Sequence, residues 1–196
     1  MFQVRIHGRG GQGVVTAAEL LSVAAFQDEL FAQAFPSFGS ERTGAPVVAF
    51  CRISKLQIRS REPVMEPDAL IIQDSTLLQS VDVFAGAAPD AFILINSTKS
   101  FNELGLEEFF ENRQSERSLI VPASEIALRH VGRPLPNAAL LGAFAAITEL
   151  VTLDSVLNAI EERFPAKIAE ANADAAREAH EFVLAGRKVA EHASTN

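Results

Sequence analysis

The sequence predicts an α/β fold: a Rossmann-like three-layer domain with a mixed, mostly parallel sheet and a C-terminal helical extension. Three observations carry this expectation. A short alternating strand runs from Phe2 to Ile6 into a glycine cluster and then into a helix-patterned segment. Three compact apolar runs, at residues 69–72, 91–95 and 118–121, have the composition of strands buried on both faces. Beyond Pro122 the strand signals stop and the remainder reads as helix.

In chain order, residues 2–6 form the first strand and Gly8 opens its turn. Residues 14–26 then place Val14, Ala17, Leu20, Leu21, Ala24 and Ala25 at helical spacing. A second strand over residues 30–35 is closed by Pro36, and a loop from Ser37 to Gly44 follows, marked by two glycines and two serines. Val47, Val48, Ala49, Phe50, Cys51 and Ile53 make a β-favouring run. With Ser54 and Lys55 as its turn, the run reads as a hairpin returning through Gln57, Ile58, Arg59 and Ser60, which makes the sheet mixed. Pro63 and Pro67 bracket a linker, and residues 77–85 and 106–110 read as crossover helices or turns.

After Pro122, Ser124 or a neighbour caps a helix that Gly132 ends, and Asn137 caps the next helix through Leu150. In the last segment Ile168, Ala171, Ala175, Ala179, Phe182, Gly186, Val189 and Ala193 step by three and four along one helical face, most of it small. The expected division is a Rossmann-like domain over residues 1–150 and a helical extension over 151–196, packing on the domain or on partner subunits. Residues 138–147 are apolar with no wet face. Either this helix or the small stripe is expected at a subunit interface.

Composition excludes several classes of function. Seventeen Lys and Arg stand against 25 Asp and Glu, a net charge of −8, with no basic run that would serve nucleic acid or an anionic membrane surface. The single Cys51 cannot form an internal disulfide, and an iron–sulfur cluster or structural zinc draws several ligands. Any redox centre is therefore expected in another chain. There is no Tyr, hence no phenolic acid or nucleophile. The N-terminus does not read as a signal peptide, and the most apolar stretch, residues 138–147, is too short to cross a bilayer, so a soluble cytoplasmic chain is expected.

The sharpest motif is Gly8-Arg9-Gly10-Gly11-Gln12-Gly13, between strand and helix. Gly8, Gly10 and Gly13 fit G-x-G-x-x-G, whose small residues let the backbone turn tightly and present N–H groups at a helix N-terminus, a geometry that suits phosphate. The alternative is a turn needed only for close strand-to-helix packing. About twenty residues on, where a dinucleotide site places an acid on the ribose, the chain has Gln33, Ala34, Phe35 and Pro36, so NAD loses support. Val14 and Val15 stand where a Walker loop requires Lys and Ser or Thr. The second feature is the loop Ser37, Phe38, Gly39, Ser40, Glu41, Arg42, which a doubly wound sheet places at the same carboxyl edge as the glycine turn.

Three segments together resemble a known family. Gly8 through Val14, Phe35 through Val47, and Asn137-Ala138-Ala139-Leu140-Leu141-Gly142-Ala143 look like the signatures of the gamma subunit of 2-oxoacid:acceptor oxidoreductases, typified by pyruvate:ferredoxin oxidoreductase, in the same order over roughly the first 160 residues. The resemblance implies a subunit of an enzyme that oxidatively decarboxylates a 2-oxoacid to an acyl-CoA and passes two electrons to an acceptor. It implies thiamine diphosphate and magnesium between alpha and beta subunits, iron–sulfur clusters in a ferredoxin-like delta subunit, and coenzyme A as co-substrate; a flavin subunit passing electrons to NAD is a compatible addition. Pyruvate is the first choice of substrate, with 2-oxoglutarate, branched-chain and aromatic oxoacids such as phenylglyoxylate open.

On this reading Gly8, Arg9, Gly10, Gly11, Gln12, Gly13, Ser37, Phe38, Gly39, Ser40, Glu41, Arg42 and Asn137 form a wall of the coenzyme A channel or a subunit contact. No residue is expected to be catalytic and none to bind metal. The alternative from the residues themselves is a free-standing nucleotide-binding or regulatory Rossmann module. His7, His130, His180 and His192 lack metal spacing, Glu107, Glu108 and Glu111 read as a solvated face, and Cys51 as an inert buried thiol.

Overall fold

The computed structural model describes residues 1–37, 43–111 and 113–194. Six strands form one sheet: β1 (Phe2–Arg9), β2 (Phe31–Pro36), β3 (Pro46–Ser54), β4 (Ala69–Ile72), β5 (Phe92–Asn96) and β6 (Ser118–Val121), in the order β2-β3-β1-β4-β5-β6. β4, β5 and β6 run parallel to β1, while β3 lies antiparallel between β1 and β2. The sheet is thus mixed and mostly parallel, as the sequence indicates. The strand order reverses between β1 and β4, so the carboxyl ends of these two strands flank the crevice where ligands bind in open α/β sheets.

The hairpin is where the sequence reading fails. Gln57 to Ser60 form no strand, because β2 and β1 already occupy both edges of β3. The chain instead crosses the sheet as an irregular strap. Arg52 Nη2 donates to the Glu62 carbonyl, and Arg5 Nη1 to those of Val64 and Met65.

Side-chain alternation sends β1 to two different environments. Val4 and Ile6 join Cys51, Ile53, Ala69, Ile71 and Leu94 in the larger core, beneath α1 (Val14–Gln27), α4 (Asn137–Thr148), α5 (Leu153–Arg163) and α6 (Ala166–Ser194). On the other face Leu70, Ile72, Ile93 and Ile95 form a smaller core with Leu77 and Val83, covered by a 3-10 turn at Ser75–Gln79, loops and the four-residue α2 (Glu107–Phe110).

α3 (Ala123–Val131) ends at Gly132, in the left-handed region at φ 74°, as the stop signal predicts. Two capping expectations are corrected. Pro122 holds the cap position of α3 and makes no side-chain bond to it; the Ser124 N–H is instead accepted by the Asn96 side chain on β5. Asn137 is the first residue of α4, not its cap, since Pro136 occupies the cap position and the Asn137 side chain lies against Gly13. At the other end of the layer Asp28, after α1, accepts from the Thr152 N–H, the Thr152 hydroxyl and the Ser155 hydroxyl, tying α5 to α1.

Residues 138–147 of α4 and the small residues of α6 pack against each other. A β-carbon on Gly142 would lie 2.0 Å from the Ala176 carbonyl oxygen, so only glycine permits this approach. The buried side of α6 is Ala169, Asn172, Ala173, Ala175, Ala176, Ala179 and Val183, while Ile168 and Phe182 of the predicted stripe are 48% and 46% exposed. The helix is rotated from the predicted face because a backbone approach this close admits only the smallest side chains.

Candidate functional site

The glycine turn sits at the carboxyl end of β1. Gly8 is required by packing: a β-carbon there would lie 2.5 Å from Val14 Cγ2. Gly11 and Gly13 adopt φ values of 94° and 73°, conformations that side chains oppose. Gly10 and the returning end of the second loop are stitched together, Gly10 N donating to the Ala45 carbonyl at 2.9 Å and Gly44 N to the Gly10 carbonyl at 3.0 Å. The loop therefore reaches the turn as the topology predicts. Ser37 continues β2, its N–H donating to the Val48 carbonyl. Phe38, Gly39, Ser40, Glu41 and Arg42 lie outside the described residues.

Three N–H groups of the turn are already taken: Arg9 by Gln12 Oε1 at 2.7 Å, Gly10 by Ala45, and Gln12 by the Arg9 carbonyl. Those of Gly11, Gly13 and the first turn of α1 have no partner among the described residues. Gly11, Gly13, Val14, Val15 and Thr16 line a cleft of about 240 Å³ with Arg9 and Val47. Unpaired N–H groups at a helix N-terminus favour an anion or a carboxylate. The Asn137 amide stands beside them: a β-carbon on Gly13 would lie 2.7 Å from Asn137 Nδ2. The first and third signature segments thus converge in space.

Arg9 is not free. Its Nε lies 3.2 Å from Asp74 Oδ2, its Nη2 donates to Thr76 Oγ1 at 2.8 Å, and its Nη1 donates to the Gly44 carbonyl at 3.1 Å. Gln12 Nε2 donates to the same Asp74 oxygen at 2.8 Å. Burial pushes the Asp74 carboxyl up, but hydrogen bonds from the Thr76 hydroxyl, Gln12 and the Thr76 N–H, with the Arg9 charge, outweigh it and hold it below the usual carboxylate range. Sequence reading missed Asp74, Thr76 and Gln73. The available signal was their place just after the apolar run 69–72, at the carboxyl edge of the sheet.

Beneath the turn the Gln73 side chain is almost completely buried, and neither polar atom has a partner among the described residues. Asn96 Nδ2 donates to the Gln73 carbonyl and to Ser124 Oγ, forming the floor of a second, larger cleft of about 400 Å³ at the carboxyl ends of β5 and β6. Thr76 also lines that cleft, and Arg9, which lines the first, donates to the Thr76 hydroxyl.

His7, Cys51 and His130 lie outside this cluster. His7 Nε2 accepts from Arg5 Nε at 3.0 Å, and burial, then the Arg5 charge, lowers its pKa to about 4. Arg5 Nη2 also donates to the Val83 and Ala85 carbonyls. Cys51 is buried, and burial pushes its thiol well above the ordinary range, which removes thiolate reactivity. His130 and Arg129 grip Glu178 of α6 at the surface. Among the described residues no three His, Cys, Asp or Glu side chains are grouped to hold a metal ion, and no helix is long and apolar enough to cross a membrane.

The family model described as pyruvate ferredoxin/flavodoxin oxidoreductase matches residues 3–182. The chain is 46% identical to the pyruvate synthase subunit PorC of Methanothermobacter marburgensis, over 92% of this chain and 97% of that one. It is also 46% identical to the pyruvate/ketoisovalerate oxidoreductases common subunit gamma of Pyrococcus furiosus, over 92% and 96%. The crystal structure of the Thermotoga maritima pyruvate oxidoreductase subunit PORC superposes with a TM-score of 0.76 at 35% identity, covering 92% of this chain and 95% of that one.

Proposed function

Because the chain belongs to the pyruvate ferredoxin/flavodoxin oxidoreductase family, we propose that it is the gamma subunit of an enzyme that oxidatively decarboxylates pyruvate, forming acetyl-CoA and reducing ferredoxin. The carrying observation is near-complete alignment with gamma subunits and PorC chains of about the same length. Alpha, beta and ferredoxin-like delta subunits are the proposed partners, in the cytoplasm, and a flavin subunit acting on NAD would extend the same assembly.

Thiamine diphosphate, magnesium and iron–sulfur clusters belong to those partners. The donor set here does not fit them: the one thiol is buried within β3, and the described residues group no metal ligands. No step of the decarboxylation is assigned to this chain. Its proposed task is to hold the assembly together and to supply one wall of the coenzyme A site. In that wall the N–H groups of Gly11, Gly13 and the first turn of α1 would meet a phosphate, and the Asn137 amide would meet a polar group beside it. Arg9 supports the turn and is not counted as a ligand; Arg42 is the cation proposed for the second loop.

The test uses the assembled enzyme and pyruvate-dependent, coenzyme A-dependent reduction of ferredoxin. Arg42→Ala and Asn137→Ala are expected to raise KM for coenzyme A on the order of tenfold with the complex intact. An unchanged KM in both would make the turn a subunit contact. The free-standing nucleotide module has no comparable support, and β2 ends in Phe35 and Pro36 where a ribose-binding acid would stand.

A further inference from the structure

We propose that Asp74 is the positioning residue of the glycine turn, holding its two side chains so that the N-terminus of α1 stays open to an anion. The inference starts from where Asp74 lies. It follows Gln73, whose N–H donates to the His7 carbonyl, so it leaves the sheet directly beside the end of β1. Its two oxygens face different ways. Oδ1 accepts from the Thr76 N–H at 3.0 Å and the Thr76 hydroxyl at 2.6 Å, capping the 3-10 turn, while Oδ2 accepts from Gln12 and pairs with Arg9.

Each group held by Oδ2 in turn holds the backbone. Gln12, fixed through its amide nitrogen, uses its oxygen to take the Arg9 N–H. Arg9, whose Nε donates to Thr76 Oγ1 and pairs by charge with Oδ2, uses Nη1 to take the Gly44 carbonyl, at the returning end of the loop. One carboxylate thus connects the turn, the loop and the 3-10 segment. Removing its charge releases the Gln12 amide and takes from Arg9 its ion pair, leaving the guanidinium on Thr76 Oγ1 and the Gly44 carbonyl alone.

Asp74→Asn separates the two duties. The new side chain keeps an acceptor for Thr76 but faces Gln12 and Arg9 with an amide NH₂, which cannot accept. In the assembled enzyme, hydrogen exchange over residues 9–16 is expected to rise on the order of tenfold at the bonded amides of Arg9, Gly10 and Gln12, while that of residues 75–79 is kept. Adding Gln12→Glu reverses the polarity of the broken hydrogen bond and is expected to return exchange toward the parent value. The kinetic arm rests on the coenzyme A reading: KM for coenzyme A rises on the order of tenfold with kcat unchanged. Unchanged exchange over residues 9–16 in Asp74→Asn would overturn the proposal. Faster exchange with an unchanged KM keeps Asp74 in this role and overturns instead the coenzyme A reading of the turn.

Discussion

The two faces of the sheet are covered by opposite means. On one, four long helices bring Ala, Gly and Leu into close contact, with Gly142 against the Ala176 carbonyl as the tightest point. On the other, among the described residues, there is no long helix. Loops and short turns are held by an aromatic cluster, in which Phe84 and Phe109 stack at 4.1 Å and Phe101 meets Phe110 at 4.2 Å, and by arginines that bind main-chain carbonyls. Arg5 collects those of Val64, Met65, Val83 and Ala85; Arg113 collects Ala87, Ala88 and Pro89 while lying over Phe109. An irregular segment leaves its carbonyls unpaired, and a buried guanidinium with five donors satisfies several at once. The helical face depends on shape and the looped face on polar satisfaction.

The faces should therefore fail to different substitutions. Gly142→Val has the largest expected effect, because its β-carbon meets backbone that cannot yield without separating α4 from α6. A loss of more than about 3 kcal/mol is expected, seen as loss of folded chain in thermal denaturation. Arg5→Leu keeps the volume but strands several carbonyls and His7, with an expected loss of roughly 3 kcal/mol by denaturant titration and earliest hydrogen exchange in residues 60–67 and 83–87.

The third effect is on pH dependence. His7 titrates near 6.5 when unfolded and at about 4 when folded, so the unfolded chain takes up a proton that the folded chain refuses. Its contribution is complete above pH 6.5 and is lost as pH falls from 6.5 toward 4, on the order of 3 kcal/mol in all. His7→Gln should flatten stability across that window in thermal melts at stepped pH; an unchanged slope would remove His7 as the cause.

What could be read in advance follows the same division. On the helical face α1 and α3, and within the sheet β4 to β6, lie close to where their patterns place them, whereas α6 turns inward a different face from the one its spacing predicts. The strap was misread because Gln57 to Ser60 look like the return of a hairpin, and only the pairing of β3 with β1 and β2 shows that no edge is free. At the candidate site, the glycine turn is legible from type and spacing, whereas Asn137 enters only through the family resemblance, its own pattern reading as a helix cap. Asp74 has only its place after the apolar run 69–72 as a signal, and its partners Arg9 and Gln12 become visible once β1 and β4 are neighbours.

By itself, then, the sequence determined the class of fold, the glycine turn and the family, because these depend on short-range pattern and on motifs contiguous in the chain. Only the tertiary structure decided that Arg9 pairs with Asp74, that Asn137 lies against Gly13, and that α4 and α6 pack against each other. Those contacts join residues many tens of positions apart, and their geometry exists only once the strands have taken their order.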